Sequence, residues 1–149
     1  MLKKFIIAIT ILASCGTLFA AMGDKAEAAY YHTKAISVAK ANLGVPYKWG
    51  GISPSGFDCS GLVKYSYGKA GITLNRTAAQ MYYRNGYKPT NLNIGDLLFY
   101  APNKASAPTH VAIYMGYGKM IMASSSKGVI VTNTNNPYWH PRYIGAKRL

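Results

Sequence analysis

The chain has 149 residues, of which 17 are Lys or Arg and 4 are Asp or Glu, so its formal net charge is +13. Half of the residues are hydrophobic, which excludes a disordered basic tail, and the length suits one domain rather than two separate cores. The two cysteines, Cys15 and Cys59, lie in regions of opposite character, so a disulfide-stapled scaffold is not expected. The three histidines lie far apart, and neither a metal site nor a cofactor is predicted.

The first 28 residues have the layout of a secretory signal peptide. Two lysines precede an apolar run, Phe5 to Met22, and Ala26-Glu27-Ala28 forms a small-x-small cleavage site. We therefore expect residues 1–28 to be removed and the mature chain to begin at Ala29. One alternative is an uncleaved anchor, because the run is close to the minimum length that crosses a bilayer. The other is a lipoprotein modified at Cys15, since Leu12-Ala13-Ser14-Cys15 resembles a lipobox.

Residues 29–149 are predicted to form one compact domain, because no repeat or long linker interrupts them. They hold 14 basic and 2 acidic residues, a net charge of +12. Cys59 becomes the only thiol of an exported chain, and such a thiol has no internal disulfide partner. It is therefore expected to be either buried or used chemically. We expect a monomer with no stable membrane span after cleavage.

Apolar periodicity predicts helices in the first half of this domain and strands in the second. A first helix, with Ala35, Ile36, Val38, Ala39 and Leu43 at helical spacing, ends at Gly44, and a loop follows over Val45 to Phe57. A second helix begins at Asp58 or Cys59 and runs to about Ala70, with Asp58 as N-cap and Gly71 as stop signal. Its buried side carries Leu62, Val63 and Tyr67. A third covers Thr77 to Tyr83.

Five short apolar or alternating runs follow, with turn signals at Tyr117-Gly118 and Lys127-Gly128. These predicted strands are Leu97 to Tyr100, His110 to Met115, Met120 to Ala123, Val129 to Thr132 and Tyr143 to Lys147. Helices followed by an antiparallel sheet define an α+β fold.

Cys59 is the candidate nucleophile, because it opens the second predicted helix within Gly56-Phe57-Asp58-Cys59-Ser60-Gly61. At a helix N-terminus the dipole and the free N–H groups favour the thiolate and lower the thiol pKa, and the Cys59 N–H is placed to hold an oxyanion. The alternative is an inert core cysteine. A thiol nucleophile needs an imidazole base, and His110 at the start of a strand is a better candidate than His32 or His140.

Several segments, in order, resemble the motif series of NlpC-type cell-wall peptidases across essentially all of residues 29–149. They are Gly44-Val45-Pro46-Tyr47-Lys48-Trp49-Gly50-Gly51, Phe57-Asp58-Cys59-Ser60-Gly61-Leu62-Val63, Gly95-Asp96-Leu97-Leu98-Phe99-Tyr100, His110-Val111-Ala112-Ile113-Tyr114-Met115-Gly116, and Tyr138-Trp139 with Arg142. The resemblance implies a papain-like α+β domain, located outside a bacterial cell or on its wall. It implies a cysteine endopeptidase acting on peptidoglycan stem peptides, commonly between D-γ-glutamyl and a diamino acid.

The resemblance also implies roles for individual residues. Cys59 matches the nucleophile and His110 the base, while Tyr47 matches a tyrosine whose hydroxyl lies beside the nucleophile and assists the oxyanion. Three further residues match positions that line the pocket for the amino end of the stem peptide: Asp58, Ser60 and Arg76.

The sequence departs from the family at the third catalytic position. The family usually has a polar residue there, most often His, whereas this chain reads Ile121-Met122-Ala123-Ser124. A thioether is a weak acceptor and does not replace His or Asn in fixing the imidazole tautomer. Either a backbone carbonyl or a water orients His110, or catalysis is weakened and the protein is chiefly a wall binder. Asn75 and Ala78 also depart from the residues common beside Arg76.

The basic charge does not indicate a nucleic-acid partner, because Lys and Arg are scattered from Lys34 to Arg148 without a dense run or a recognised motif. For an exported chain, anionic cell-wall polymers are the simpler partner. Asp96 is interpreted as structural, and Trp49 and Trp139 as packing residues or groove wall.

Overall fold

A computed structural model describes residues 3–149, with side chains from residue 20 onward. Residues 1 and 2, and the side chains of Lys3, Lys4 and Cys15, lie outside what is described. Helix α1 spans Lys3–Ala41, and the chain divides into two compact units, one ending at Tyr30 and the other Tyr31–Leu149. In the described part of the chain, no helix has both the length and the apolar character needed to cross a membrane. Cleavage after Ala28 stays a prediction.

The end of α1 differs from the prediction by three residues. Ala35, Ile36 and Ala39 are buried as expected, whereas Leu43 is 48% exposed. The chain leaves the helix at Ala41 because it turns at Gly44, which has a φ of 85° and donates its N–H to the carbonyl of Val129.

Helices α2 and α3 confirm the predictions closely. Helix α2, Cys59–Lys69, begins after Asp58, whose carboxylate accepts from the Gly61 N–H, and its C-cap is Ala70. Helix α3, Ala78–Arg84, begins after Thr77, which forms a capping box with Gln80. Between α1 and α2, the predicted loop contains a small hairpin of two-residue strands, β1 (Ile52–Ser53) and β2 (Gly56–Phe57). Strands this short show no alternation in sequence, so the prediction missed them.

The second half of the chain forms one antiparallel sheet of five strands in the order β6-β5-β4-β3-β7. The strands are β3 (Leu97–Tyr100), β4 (His110–Gly116), β5 (Lys119–Ser124), β6 (Gly128–Asn133) and β7 (Tyr143–Lys147). Every predicted strand is therefore found, within one residue at each end. Tyr117 and Gly118 both have positive φ, at 51° and 69°, as a tight hairpin turn between β4 and β5 requires. The predicted α+β fold is confirmed.

Alternation along the strands gives the sheet two apolar faces. One face carries Val111 and Ile113 of β4 and packs against α2, α3 and the last turns of α1. The other face carries Ala112, Tyr100 of β3 and Met122 of β5, and Trp139 packs against it. Cys59 packs with the first cluster and Met122 with the second.

Candidate active site

The start of β4 is the place where α2 meets the sheet. The pairing of β4 with β5 begins at Ile113, which lies opposite Ile121, and ends at Gly116, which lies opposite Lys119. The first residues of β4, up to Ala112, precede this pairing. Cys59 contacts the backbone of β4 ahead of that point. Its Sγ lies 3.6 Å from the carbonyl oxygen of Thr109, and the Val111 N–H donates to the sulfur. The thiol therefore lies against the backbone on both sides of His110.

Glycines let α2 approach the preceding loop this closely. Asp58 donates its N–H to the carbonyl of Gly51, and a Cβ at Gly61 would collide with that same carbonyl oxygen. A Cβ at Gly51 would in turn collide with the Gly56 carbonyl. The glycines around Cys59 are thus required by backbone packing, in addition to any need for substrate access.

The Cys59 thiol is protonated at neutral pH in the free protein. Burial raises the pKa of the thiol, and the negative Asp58 adds to this, while the N–H groups of Val111, Ser60 and Cys59 oppose it. The net direction is upward. The expectation of a lowered thiol pKa is therefore wrong for the free protein, because a side chain that is 8% exposed loses more from desolvation than the helix N-terminus supplies.

His110 is a neutral imidazole, because burial lowers its pKa to about 3. Its Nε2 lies 3.3 Å from the Met122 Sδ. Met122, which stands at the third position of the motif, is thus in contact with the His110 ring. Of the alternatives for orienting His110, a backbone carbonyl is not found among the described residues, whose hydrogen bonds give the ring this sulfur as its partner.

An indole covers one face of the His110 ring. The ring centroids of His110 and Trp139 are 4.1 Å apart and their planes are inclined by 20°, which is a stacked pair. The sequence predicts Trp139 as packing or groove wall and does not predict its contact with the candidate base. The adjacent Tyr138-Trp139 motif was the available signal, but sequence gives no indication of which ring an aromatic residue in a loop will touch.

A cleft of about 560 Å³ leads from solvent to Cys59. Trp49 stands at its rim and is 88% exposed. His110 is not among the residues that line the cleft. The cleft is lined by Tyr47, Trp49, Gly50, Asp58, Cys59, Ser60, Arg76, Thr77, Ala78, Ala79, Pro108 and Thr109.

Three of the predicted binding residues form one network in this cleft. Arg76 makes a two-pronged ion pair with Asp58, at 3.0 Å from Nη1 to Oδ1 and 2.6 Å from Nη2 to Oδ2. Nη1 also donates to Ser60 Oγ at 2.9 Å. The pKa of the Arg76 guanidinium is raised by its hydrogen bond to Asp58.

Tyr47 lies beside this network. Burial raises the pKa of its hydroxyl, and the negative forms of Cys59 and Asp58 add to the effect. The Tyr47 hydroxyl is consequently a donor at neutral pH.

The other candidates are engaged elsewhere. His32 Nδ1 lies 2.9 Å from the Tyr67 hydroxyl, which donates to the Gly95 carbonyl, so His32 is part of the core. His140 is exposed in a short 3-10 turn, His140–Arg142. Asp96 is fully buried and ion-paired with Arg148 at 2.8 Å, in accord with a structural interpretation. Within the described residues, no group of three His, Cys, Asp or Glu side chains is placed to hold a metal ion.

A thiol at the N-terminus of a buried helix, against the start of a strand that carries a histidine, is the arrangement of a papain-like α+β fold. Residues 44–148 match the NlpC/P60 family, and the chain belongs to that family.

Three similar proteins illustrate the match. The chain is 43% identical over 116 residues to the probable peptidoglycan endopeptidase LytE of Bacillus subtilis, which covers 78% of this chain and 34% of that protein. It is 40% identical over 155 residues to the gamma-DL-glutamyl hydrolase of Bacillus subtilis, covering 99% of this chain and 37% of that one. The crystal structure of an NlpC/P60 family protein from Bacillus cereus superposes with a TM-score of 0.73 at 36% identity, over 78% of this chain and 39% of that one. The chain thus spans about a third of the length of these two curated relatives.

Proposed function

We propose that this protein is an exported cysteine endopeptidase that hydrolyses peptidoglycan stem peptides between D-γ-glutamate and the following diamino acid. The observation that carries the proposal is the placement of Cys59 at the inner end of an open cleft, against the backbone on both sides of His110. The names of the two relatives, a peptidoglycan endopeptidase and a gamma-DL-glutamyl hydrolase, support the substrate class and the bond.

In the acylation step, Cys59 is the nucleophile and His110 the general base. His110 takes the thiol proton while Sγ forms a bond to the amide carbonyl carbon, and the carbonyl π electrons move to oxygen. The Cys59 N–H and the Tyr47 hydroxyl donate to that oxyanion. Because burial disfavours a resting thiolate–imidazolium pair, the proton moves as the sulfur attacks rather than beforehand.

Collapse of the tetrahedral intermediate completes the cleavage. The C–N bond breaks, the His110 imidazolium gives its proton to the leaving amine, and a thioester to Cys59 remains. Water then attacks the thioester carbonyl while His110 takes the water proton. The C–S bond breaks and the thiol is restored with the proton that His110 held.

The network of Asp58, Ser60 and Arg76 is proposed to bind the amino end of the stem peptide. Asp58 supplies the negative charge that an ammonium group needs, and Ser60 supplies a hydroxyl acceptor. Arg76 holds the Asp58 carboxylate in a fixed orientation, since both of its Nη atoms contact that carboxylate.

Export and wall attachment are the remaining parts of the proposal. Residues 1–28 act as a cleaved signal peptide, and residues 29–149 form the peptidase domain. Mass measurement of the exported protein distinguishes cleavage before Ala29 from lipidation at Cys15.

The basic surface is proposed to hold the protein on anionic wall polymers. Both acidic residues of this part, Asp58 and Asp96, are engaged by an arginine, so the other 12 basic residues have no carboxylate partner there. Such attraction is screened by salt. Retention on purified wall should fall between low and high salt, and unchanged retention contradicts this role.

Mass spectrometry of digested muropeptides tests the activity. The wild type is expected to produce fragments ending in D-glutamate, together with fragments that begin with the diamino acid. Cys59→Ala should produce neither, and Cys59→Ser, which replaces the thiol by a hydroxyl of similar size, serves as the control for lost side-chain volume. Identical fragment patterns from the wild type and Cys59→Ala contradict the peptidase proposal, while a different wild-type cleavage point corrects only the bond.

A second candidate function is a wall-binding protein of the same fold with weakened catalysis, which the thioether at the His110 ring favours. Met122→His separates the two. A large gain in cleavage indicates that the natural protein is compromised, whereas no gain indicates that His110 is already held adequately.

A further inference from the structure

The His110 ring is enclosed on several sides, although the third catalytic position carries no strong acceptor. Trp139 stacks on one face at 4.1 Å, and Tyr100 is tilted against the ring at 5.9 Å. Met122 Sδ lies 3.3 Å from Nε2. These contacts leave the base with little freedom to rotate.

The chemistry of sulfur decides which nitrogen carries the proton. A thioether has no hydrogen to donate, so the contact between Nε2 and Sδ is a hydrogen bond only when Nε2 is protonated. Because the buried ring is neutral, it holds one proton, and Nδ1 is then the unprotonated nitrogen. That leaves the Nδ1 lone pair free to accept a proton from a thiol.

Trp139 is itself fixed by the chain around it. The Asn136 Oδ1 accepts from the N–H groups of both Tyr138, at 2.9 Å, and Trp139, at 3.3 Å. Arg142 lies over the Tyr138 ring at 4.0 Å and donates to the Tyr138 carbonyl. The Trp139 indole is therefore fixed in position against the His110 ring.

The indole also protects the weak bond at Nε2. Water competes for an N–H group far better than a thioether does, so an N–H···S bond persists only where water is kept out. His110 is 8% exposed and Met122 is fully buried, and Trp139 covers the imidazole face.

We propose that Met122 and Trp139 are positioning residues that act together in place of a polar third catalytic residue. Although the sequence alone does not predict that a thioether fixes the tautomer, Met122 in this enclosed position selects the tautomer of His110 that carries its proton on Nε2. Trp139 fixes the ring plane and keeps water from the N–H···S bond. The catalytic part of this inference rests on the proposed function, whereas the tautomer does not.

Nuclear magnetic resonance of protein labelled with ¹⁵N at histidine tests the tautomer directly. His32→Gln and His140→Gln variants assign the three imidazoles, and long-range proton–nitrogen spectra at neutral pH give the protonated nitrogen of each ring. We expect His110 to carry its proton on Nε2 in the wild type. A proton on Nδ1 of His110 overturns the proposal.

Three variants test the two positioning residues. Met122→Leu keeps the apolar volume and removes the acceptor, so a mixture of tautomers is expected. Trp139→Leu should produce a mixture as well, while Trp139→Phe, which retains a stacking ring, should stay close to the wild type. An unchanged single tautomer in Met122→Leu contradicts the role of the sulfur, and this variant keeps the test decisive where Trp139→Leu does not fold.

Kinetics on muropeptides provide the second readout. In Met122→Leu, kcat is expected to fall with KM unchanged. The expected fall is roughly tenfold, because that is the factor that one net hydrogen bond of ordinary strength supplies. Met122→Asn should restore it. An unchanged kcat in Met122→Leu overturns the catalytic part. If the wild type cleaves no muropeptide but His110 shows the expected tautomer and the expected variant pattern, the proposed function fails while the positioning role stands.

Discussion

Arg76 and Asp58 form an ion pair in which both guanidinium Nη atoms contact the carboxylate, although they are 18 positions apart in the chain. The same carboxylate caps α2 by accepting from the Gly61 N–H at 2.6 Å. Asp58 thereby links the start of the helix that carries Cys59 to the segment that leads into α3. One side chain serves both the helix terminus and the charge pattern of the cleft.

The first prediction concerns this fork, the two-point contact of the Arg76 guanidinium with the Asp58 carboxylate. Arg76→Lys keeps the positive charge but contacts the carboxylate at a single point, so the orientation of Asp58 becomes looser. We expect KM for muropeptides to rise several-fold and the free energy of unfolding to fall by about 1 kcal/mol. Arg84→Lys, on the exposed face of α3, is the matched control and should change neither quantity. Equal effects of the two substitutions would show that the fork has no special role.

The second prediction concerns two glycines of α2 that face different surroundings. A Cβ at Gly61 meets the carbonyl oxygen of Gly51, whereas a Cβ at Gly68 meets nothing within 4 Å. Gly61→Ala is therefore expected to lower the free energy of unfolding by about 1–3 kcal/mol through overpacking. Gly68→Ala should raise it by up to about 1 kcal/mol, because alanine favours the helix. Urea denaturation of both variants measures this, and the same sign for both contradicts the packing described at Gly61.

The third prediction concerns the buried carboxylate of Asp96. It is fully buried and accepts from Arg148 Nε and Nη2, both at 2.8 Å, and from the Asn93 N–H at 2.7 Å. Arg148→Met leaves that charge without its partner and should lower the free energy of unfolding by about 3–5 kcal/mol. Lys147→Met, next to it in β7, removes only a distant ring contact and is expected to cost less than about 1 kcal/mol.

A double-mutant cycle adds to this test. If Asp96 and Arg148 interact as described, the variant lacking both charges, Asp96→Asn with Arg148→Met, should lose less than the sum of the single losses. Strict additivity would contradict a direct pair.

The features that local sequence determines were predictable. Asp58 as N-cap, Gly71 as stop and the Tyr117-Gly118 turn each depend on a few adjacent residues, and all are found. The strands were predictable because each alternates or is continuously apolar between turn signals. By contrast, Leu43 fits the helical period of α1 but lies beyond its end, since the turn at Gly44 is held by Val129, a contact across 85 positions.

Some contacts of the candidate site could be expected from the motifs, whereas its energetics could not. Ordered motifs indicated Cys59, His110 and Met122, and the structure places Met122 Sδ at the His110 ring. The direction of the thiol pKa was wrong because burial is a property of the tertiary structure, which no local pattern reports. The stacking of Trp139 on His110 was missed for the same reason, since a loop after β6 reaches back to the start of β4.

The last prediction concerns pH. Burial lowers the pKa of His110 from 6.5 to about 3, so between these values the unfolded chain binds a proton that the folded protein does not. Stability is therefore fully present above about pH 6.5 and is lost as pH falls toward 3, by up to about 1.4 kcal/mol per pH unit from this group. His32, whose pKa is also lowered chiefly by burial, adds a loss of the same sign.

Urea denaturation at several pH values between 7 and 4 measures the slope. His110→Gln cannot take up this proton, so its stability should depend less steeply on pH than that of the wild type. His140→Gln, at an exposed position, serves as the control for a change of histidine to glutamine. Parallel curves for His110→Gln and the wild type would show that His110 is not held neutral by burial.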